Sequence, residues 1–310
     1  MDTSKMRRLR RRGYFLFIMF ILFIVVTFVQ LPVYVTYPGG AEPLNTMVTV
    51  EGGYEETGDI MLTTLRVGKA NIVQYVVAHF NQYQFLFPEK TFRREWESEE
   101  DYSHRQMQMM KNSQDEALIV AYELAGKNVT VEHRGVVVSG TIPGTSADKM
   151  LQVGDLITEV DGKAVHTHEE LLEYLGGKTS GDAVKMTITR QESERTVTLR
   201  VEPFPQSFAG AEDGQAGVGI IGPVTKRVVV TDPPVQFNTQ DIGGPSAGLM
   251  LTLEIYNQLN EKDLTKGYQI AGTGEIDEEG RVGAIGGIDQ KVVAADKAGA
   301  DVFFAPVAGG

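Results

Sequence analysis

The stretch Asp241–Leu259, DIGGPSAGLMLTLEIYNQL, places one serine among glycines and a proline. Ser246 follows Gly244 and Pro245, and an apolar run without a charge before Glu254 comes directly after it. Proline suits the first turn of a helix, because its missing N–H would have no helical partner there. The pattern therefore predicts a buried helix with Ser246 at its N-terminus, where amides and the helix dipole stabilise an oxyanion. A small-residue turn with a serine N-cap fits these residues equally well.

A second glycine-rich stretch precedes a lysine that is suited to act as a base. Lys291 lies near the start of a helix that is predicted to begin after Gly286-Gly287, and small apolar residues follow it at positions 294, 295 and 298. The positive end of a helix dipole and apolar neighbours both favour a neutral amine. A lysine that acts as a base near neutral pH needs a pKa about 3 units below its usual value of about 10.4. An exposed helix lysine without a chemical role is the alternative.

Together the two stretches resemble the proteolytic domain of the Lon peptidases, which use a Ser–Lys dyad. The matching motifs keep the order and spacing of that family: GGPSAG around Ser246, TGEI from Thr273, GRV from Gly280, and IGG…K…AA ending at Ala295. Gly243 is a departure, because Lon enzymes usually carry an acidic residue at this position.

The resemblance implies a role for each matching residue. Ser246 is expected to be the nucleophile and Lys291 the base, with Thr273 helping to hold the lysine amine. The residues expected to support the serine and its oxyanion are Gly244, Pro245 and Ala247. The implied reaction is hydrolysis of peptide bonds without a cofactor or a metal, and the implied partners are protein or peptide substrates.

Residues 128–205 resemble a PDZ domain, which is a partly open β-barrel. The motifs are RGVVV at 134–138, QVGDLITEVDG at 152–162 and EELLEYL at 169–175. PDZ domains add an extended peptide to a sheet edge and hold its C-terminal carboxylate on loop amides. The resemblance implies that the peptide-binding residues are Gly135, Val136 and Val137. A PDZ fold that serves only as a spacer is the alternative.

The expected architecture is α+β, with one Lon-type domain split by the PDZ-like unit. Residues 46–127 resemble the first part of the Lon proteolytic domain, more weakly than residues 208–310 resemble its catalytic part. The two parts are expected to share a mixed sheet with helices, and residues 208–217 are the predicted return linker. A Lon domain would continue with a further helix and strand after Val302–Pro306, so the domain is expected to be incomplete at its C-terminal end.

The N-terminal segment has the pattern of a membrane anchor. Residues 1–12 are strongly basic, and no charge appears from Gly13 to Ala41. The apolar run predicts a transmembrane helix over residues 13–35, and the basic tail places the N-terminus in the cytoplasm and the bulk of the chain outside it. The lipid bilayer is then a partner. A cleaved signal peptide is the alternative.

Composition excludes two broad classes of function. The chain has a net charge of −12, and its first twelve residues are basic, so the remainder repels nucleic-acid phosphates. It has no cysteine, which excludes disulfides and thiol chemistry.

Several short motifs resemble other kinds of site but lack the further residues that those sites require. Gly244–Gly248 spells the G-x-S-x-G of α/β-hydrolases, but no histidine follows the serine. Gly176–Thr179 lacks the first glycine of a phosphate loop, so no ATPase is expected. His166 and His168 do not make a metal site by themselves. Ser146–Lys149 spells S-x-x-K, but Ser146 is better interpreted as a helix cap.

The combined prediction is an ATP-independent, membrane-anchored serine endopeptidase of the Lon-like, PDZ-containing kind found in Gram-positive bacteria, acting on extracytoplasmic proteins. The alternative is a non-catalytic, membrane-anchored PDZ scaffold on a degenerate protease domain. The sequence leaves open the physiological substrate, the cleavage preference and the oligomeric state. It also leaves open the role of Glu89–Arg105, a charged segment that fits a linker or a lid.

Overall fold

The computed structural model describes residues 3–94, 97–205, 215–239 and 242–307, with residues 3–9 and 11 described by their backbone alone. Trp96 and residues 208–214 of the predicted return linker lie outside these ranges. The α-helices of the described part are α1 (Thr3–Phe28), α2 (Ile72–Ala78), α3 (Glu99–Leu124), α4 (Ser146–Met150), α5 (His168–Gly176), α6 (Gly248–Leu259) and α7 (Ile288–Ala298).

Its strands, in chain order, are β1 (Gln30–Pro43), β2 (Val48–Val50), β3 (Asp59–Asn71), β4 (Phe85–Pro88), β5 (Asn128–Val137), β6 (Leu156–Val160), β7 (Lys163–Ala164), β8 (Ala183–Arg190), β9 (Ser193–Arg200), β10 (Glu202–Pro203), β11 (Ala216–Gly217), β12 (Val224–Asp232), β13 (Val235–Phe237), β14 (Gln269–Gly272), β15 (Glu275–Ile276), β16 (Val282–Gly283) and β17 (Val302–Phe304). Short 3-10 turns lie at Leu44–Thr46 and Glu89–Thr91.

One mixed sheet joins segments from both sides of the PDZ-like unit. Its strand order is β17-β14-β3-β1-β4, with β14 parallel to β3 and β17, and β1 antiparallel to β3 and β4. The strands β1, β3 and β4 come before the unit in the sequence, whereas β14 and β17 come after it. Two distant parts of the chain therefore build a single sheet.

The core beneath this sheet is built around α6 and α3. Met250, Leu251 and Ile255 of α6 are fully buried, as are Ala121 and Tyr122 of α3. The apolar run after Ser246 thus forms the buried helix that its composition indicates, because burying such side chains stabilises the fold by about 1.5–3 kcal/mol each. The first turn of α6 begins at Gly248 rather than at the serine.

The charged segment Glu89–Arg105, which fits a linker or a lid by its sequence, ends inside a helix. The helix α3 begins at Glu99, and Ser98 forms a capping box with Asp101. Three acidic residues in the first turn favour a helix at this point, because they face the positive end of its dipole. Ser113 lies buried in the middle of α3.

A second sheet forms the PDZ-like unit, with the strand order β12-β5-β6-β8-β9 and with β7 beside β6. The unit has its own core, which includes Val136, Ile157, Leu171, Ile188 and Leu199. Its outer strand β12 comes from beyond the unit in sequence and pairs with the full length of β5. The strand β5 is therefore an interior strand.

The N-terminal helix does not match the predicted membrane anchor. Among the residues that the structure describes, no helix combines the length and the apolar character that crossing a bilayer requires. α1 ends at Phe28, and Leu31–Val35, which the prediction had counted with the apolar run, lie in β1. The uncharged part of α1 from Gly13 is about 24 Å long, against about 30 Å of hydrocarbon. The predicted transmembrane helix over residues 13–35 and the single-pass location are therefore wrong.

Candidate active site

The loop that carries Ser246 is held from behind by α3. The amide of Gly244 donates to the carbonyl of Gln106 at 2.9 Å, and Ser113 Oγ donates to the carbonyl of Pro245 at 2.9 Å. Gly244 has a φ of 92°, a left-handed conformation that glycine adopts without strain. These contacts fix the backbone immediately before Ser246.

The glycine at position 243 has a steric explanation. A Cβ atom built on Gly243 would lie 2.8 Å from the Cβ of Gln106, which is closer than real Cβ contacts. The acidic side chain that Lon enzymes usually carry here therefore does not fit against α3 as it is packed in this chain.

Lys291 reaches Ser246 from the first turn of α7. Its backbone N–H donates to the carbonyl of Gly287, which caps the helix in the left-handed conformation. Its Nζ lies 2.8 Å from Ser246 Oγ and 2.9 Å from Thr273 Oγ1. Thr273 Oγ1 in turn donates to the carbonyl of Ser246 at 3.1 Å. The structure thus brings together three side chains that the sequence placed far apart.

Burial makes the amine of Lys291 less basic. The side chain is only 2% exposed, and this loss of hydration lowers its pKa from 10.5 to about 8, with the negative charge of Glu275 acting in the opposite direction. Desolvation disfavours the charged form of an amine, so a large share of the lysine is neutral in mildly alkaline solution. The sequence had named two causes, the helix dipole and desolvation by apolar neighbours, and desolvation is the one that dominates here.

The amides available to an oxyanion differ from those expected. The N–H of Gly244 is already bonded to Gln106, and Pro245 has no N–H to donate. The amides of Ser246 and Ala247 have no acceptor within the described ranges of the chain. Of the predicted supporting residues, Ala247 therefore has an amide available to donate, whereas Gly244 and Pro245 shape and anchor the loop.

A cleft of about 780 Å³ opens in front of Ser246 and Lys291. One wall is formed by residues 62–67 of β3, and others by α3 and by the loop 242–247. β14 pairs with β3 only over Asp59–Leu62. Beyond Leu62, β3 has β1 on one side and, in the part of the chain that the structure describes, no strand on the side of the cleft.

The residues predicted to bind a peptide in the PDZ-like unit are not at a sheet edge. Val136 pairs with Ile157 on one side and with Thr225 on the other. The amide of Gly135 donates to the carbonyl of His166 at 3.3 Å. Val137 is likewise paired on both sides, so Gly135, Val136 and Val137 have no free edge for an added strand.

The outer edge lies instead at residues 218–225, where residues 218–221 bond to residues 140–147 and residues 224–225 pair with the end of β5. Ile142 N donates to the carbonyl of Gly219, and the amides of Gly219 and Ile220 have no acceptor among the described residues. His168, at the start of α5, contacts Thr225 Oγ1 through its backbone N at 2.9 Å. The sequence signal that points here is the glycine pair in GVGI at 217–220, because Gly219 takes a left-handed φ of 94°.

Two family models match parts of the chain. The PDZ domain matches residues 124–201, and the Lon protease (S16) C-terminal proteolytic domain matches residues 239–309. The second match contains Ser246, Thr273 and Lys291. The chain thus has similarity to a peptidase domain and to a peptide-binding domain.

Individual relatives match only parts of this chain. A probable periplasmic serine endoprotease DegP-like from Halomonas elongata is 32% identical over 99 residues, which are 32% of this chain and 21% of that protein. The Lon protease of aster yellows witches'-broom phytoplasma is 38% identical over 63 residues, 20% of this chain and 8% of that protein. The crystal structure of a PDZ domain of an SdrC-like protein from Listeria monocytogenes shows 28% identity and a TM-score of 0.26, covering 29% of this chain and 90% of that one. This chain spans only a small part of the two curated relatives.

Proposed function

We propose that this chain is a serine endopeptidase in which Ser246 is the nucleophile and Lys291 the general base. The observation that carries the proposal is the 2.8 Å contact between Ser246 Oγ and the buried Nζ of Lys291. A nucleophile within hydrogen-bond reach of its base, with a third group orienting that base, is the arrangement that covalent catalysis requires. Thr273 Oγ1 supplies the third contact at 2.9 Å.

The reaction follows from this geometry. The neutral amine of Lys291 accepts the proton of Ser246 as Oγ attacks the peptide carbonyl carbon. The amides of Ser246 and Ala247 donate to the oxygen that becomes negative, and the protonated lysine then gives its proton to the leaving amine. Water, activated by the same amine, hydrolyses the acyl-enzyme and restores Ser246.

The substrate backbone fits as a strand beside β3. An extended peptide added along residues 63–67 pairs with an edge that has no strand beside it, and the cleft carries this peptide past Ser246. Such pairing uses main-chain hydrogen bonds, so it suits unfolded segments of many sequences. It requires no nucleotide, and we propose that hydrolysis is independent of ATP.

The pH dependence of hydrolysis tests the base directly. The kcat/KM for a short unstructured peptide is expected to rise with pH, with a midpoint at about 8, because only the neutral amine of Lys291 accepts the serine proton. Below the midpoint the rate should fall about tenfold for each pH unit, as the protonated fraction approaches one. Initial rates measured from pH 6 to 9.5 check this expectation. A rate that does not change across this range would contradict a lysine base.

The PDZ-like unit is proposed to hold substrate segments in a groove between residues 218–225 and α5. His168 and Leu172 lie four residues apart and so share one face of α5. The side chain of His168 contacts Thr225, with Nδ1 at 3.1 Å from Oγ1, which places this face toward the outer strand. Leu172 is 54% exposed and is therefore accessible to a bound peptide.

Replacing Leu172 with aspartate is expected to lower kcat/KM for unfolded casein several-fold, because the groove loses an apolar contact and gains a charge. Hydrolysis of a short quenched peptide that occupies only the catalytic cleft should stay unchanged. Leu124→Asp is the matched control, since Leu124 is a 66% exposed leucine at the end of α3. Equal casein rates for Leu172→Asp and the control would contradict a substrate-binding role. Deleting residues 128–205 is a poorer test, because it removes β5 and leaves β12 without its partner.

The second candidate function is a PDZ scaffold without catalysis. It predicts peptide binding at the groove with no hydrolysis by the wild-type protein. Turnover of casein without nucleotide, measured together with the serine variant described below, separates the two candidates.

A further inference from the structure

The carboxylate of Glu275 lies in the same cleft as Ser246 and Lys291. It is the first residue of β15, two positions after Thr273, and pairs with Gly283 of β16. The residue before it is fixed on both sides, because Gly274 N donates to the carbonyl of Ser246 at 3.0 Å and Leu249 N donates to the carbonyl of Gly274 at 3.0 Å. The backbone that positions Glu275 is thus tied directly to the nucleophile loop.

Within the described ranges of the chain, the carboxylate of Glu275 makes no hydrogen bond and no ion pair, although the side chain is half-buried. Lys291 does not form an ion pair with it, since the amine is directed to the hydroxyls of Ser246 and Thr273. Burial raises the pKa of Glu275, and the positive charge of Lys291 lowers it.

The catalytic state leaves this carboxylate without a counter-charge. When Lys291 is neutral, as the base must be, its positive charge no longer stabilises the carboxylate of Glu275. A partly buried charge without a partner is unfavourable, whereas a hydrogen-bonded ion pair in the same place is favourable. A positively charged side chain of the substrate would supply that partner.

The other charged residues of the cleft do not compete for this role. Arg105 is bonded to Glu97, with Nε donating to Oε1 at 2.7 Å. Arg66 lies on the β3 wall, four positions beyond Leu62, where β14 ends its pairing. The cleft therefore carries an unpaired acid at the end where Ser246 lies and a basic residue along the wall that leads away from it.

We propose that Glu275 is a specificity-determining residue that selects substrates with a lysine or arginine next to the scissile bond. The proposal rests on the peptidase function proposed above. The ion pair forms between the Glu275 carboxylate and the basic side chain, and the catalytic steps at Ser246 and Lys291 are unchanged. A charge-assisted hydrogen bond in such a site is expected to raise kcat/KM by about 10- to 100-fold over a neutral side chain of the same length.

The experiment uses quenched peptides that differ at one position only, with lysine, norleucine or glutamate placed in turn at the two positions on each side of the cleaved bond. At pH 8.5, wild type is expected to prefer lysine over norleucine by at least about tenfold at one of these positions. Glu275→Gln should bring that ratio close to one, and Glu275→Lys should favour glutamate. Comparing two peptides within one variant removes any general loss of activity or of folded protein.

Glu279→Gln is the matched control, because Glu279 is an exposed acid on the same β15–β16 connection, is bonded to Arg281, and does not line the cleft. It should keep the wild-type preference. Equal rates for lysine and norleucine at every position in wild type, or an unchanged preference in Glu275→Gln, would overturn the role of Glu275 while hydrolysis itself remains. If wild type and Ser246→Ala both leave all peptides intact, the peptidase function and this inference fail together.

Discussion

Replacing Ser246 with alanine is expected to lower kcat for peptide hydrolysis by about 10⁴-fold or more, because the acyl-enzyme forms on its hydroxyl. The protein should still fold, since Oγ contributes one contact to Lys291 and the loop is held by the backbone bonds of Gly244 and Pro245. Single-turnover and steady-state assays on unfolded casein measure the loss. A serine-directed phosphonate should label wild type and leave the variant unlabelled.

Ser146→Ala is the control for this experiment. Ser146 stands in the other S-x-x-K of the chain, but its Oγ accepts from the backbone N of Arg200 at 3.0 Å inside the PDZ-like unit. Its loss should leave hydrolysis unchanged. If Ser246→Ala cleaves casein as fast as wild type, the chain is not a serine peptidase that acts through residue 246, and the scaffold function becomes the better explanation.

The sequence could predict those parts of the site whose local structure depends on residues adjacent in the chain. Glycine and proline before Ser246 and the apolar run after it are enough to place a loop and a buried helix. The meeting of Ser246 with Lys291 is different in kind, because it depends on how α6 and α7 pack on a shared sheet. No local pattern gives that distance, and the sequence reached it only through resemblance to a family.

The errors share a physical origin in long-range strand pairing. Gly135–Val137 look like an edge when the PDZ-like segment is considered alone, but β12 arrives from later in the chain and covers them. The N-terminal apolar run looks long enough for a bilayer because nothing in its composition shows that residues after Phe28 pair with β3 and β4. Hydrophobicity alone does not show where an apolar helix ends and an apolar strand begins.

Replacing Lys291 with methionine is expected to abolish hydrolysis to a similar extent, by about 10⁴-fold, because the serine loses its base. The double variant with Ser246→Ala should be no slower than either single one, since the two residues act as a unit. Lys297→Met on the same helix is the control, because Lys297 is exposed and should be replaceable without effect. A Lys291→Met protein that keeps wild-type activity would exclude this lysine as the base.

The same substitution is expected to stabilise the fold, and the sign follows from the pKa of Lys291. Because this pKa falls from 10.5 to about 8 on folding, the unfolded chain binds more protons, and wild-type stability rises as pH increases between these values. At pH 7 the lowered pKa of Lys291 reduces the free energy of unfolding by about 3 kcal/mol, and by pH 9.5 this reduction has fallen to about 1 kcal/mol. Methionine has no charge to desolvate, so the variant should gain more unfolding free energy over wild type at pH 7 than at pH 9.5, as measured by urea denaturation. The lost contacts to Ser246 and Thr273 reduce this gain at both pH values. A stability gain that is independent of pH would mean that Lys291 is not buried as an ionisable amine. A variant that is more stable than wild type but inactive would show that the buried lysine lowers stability and is retained because catalysis requires it.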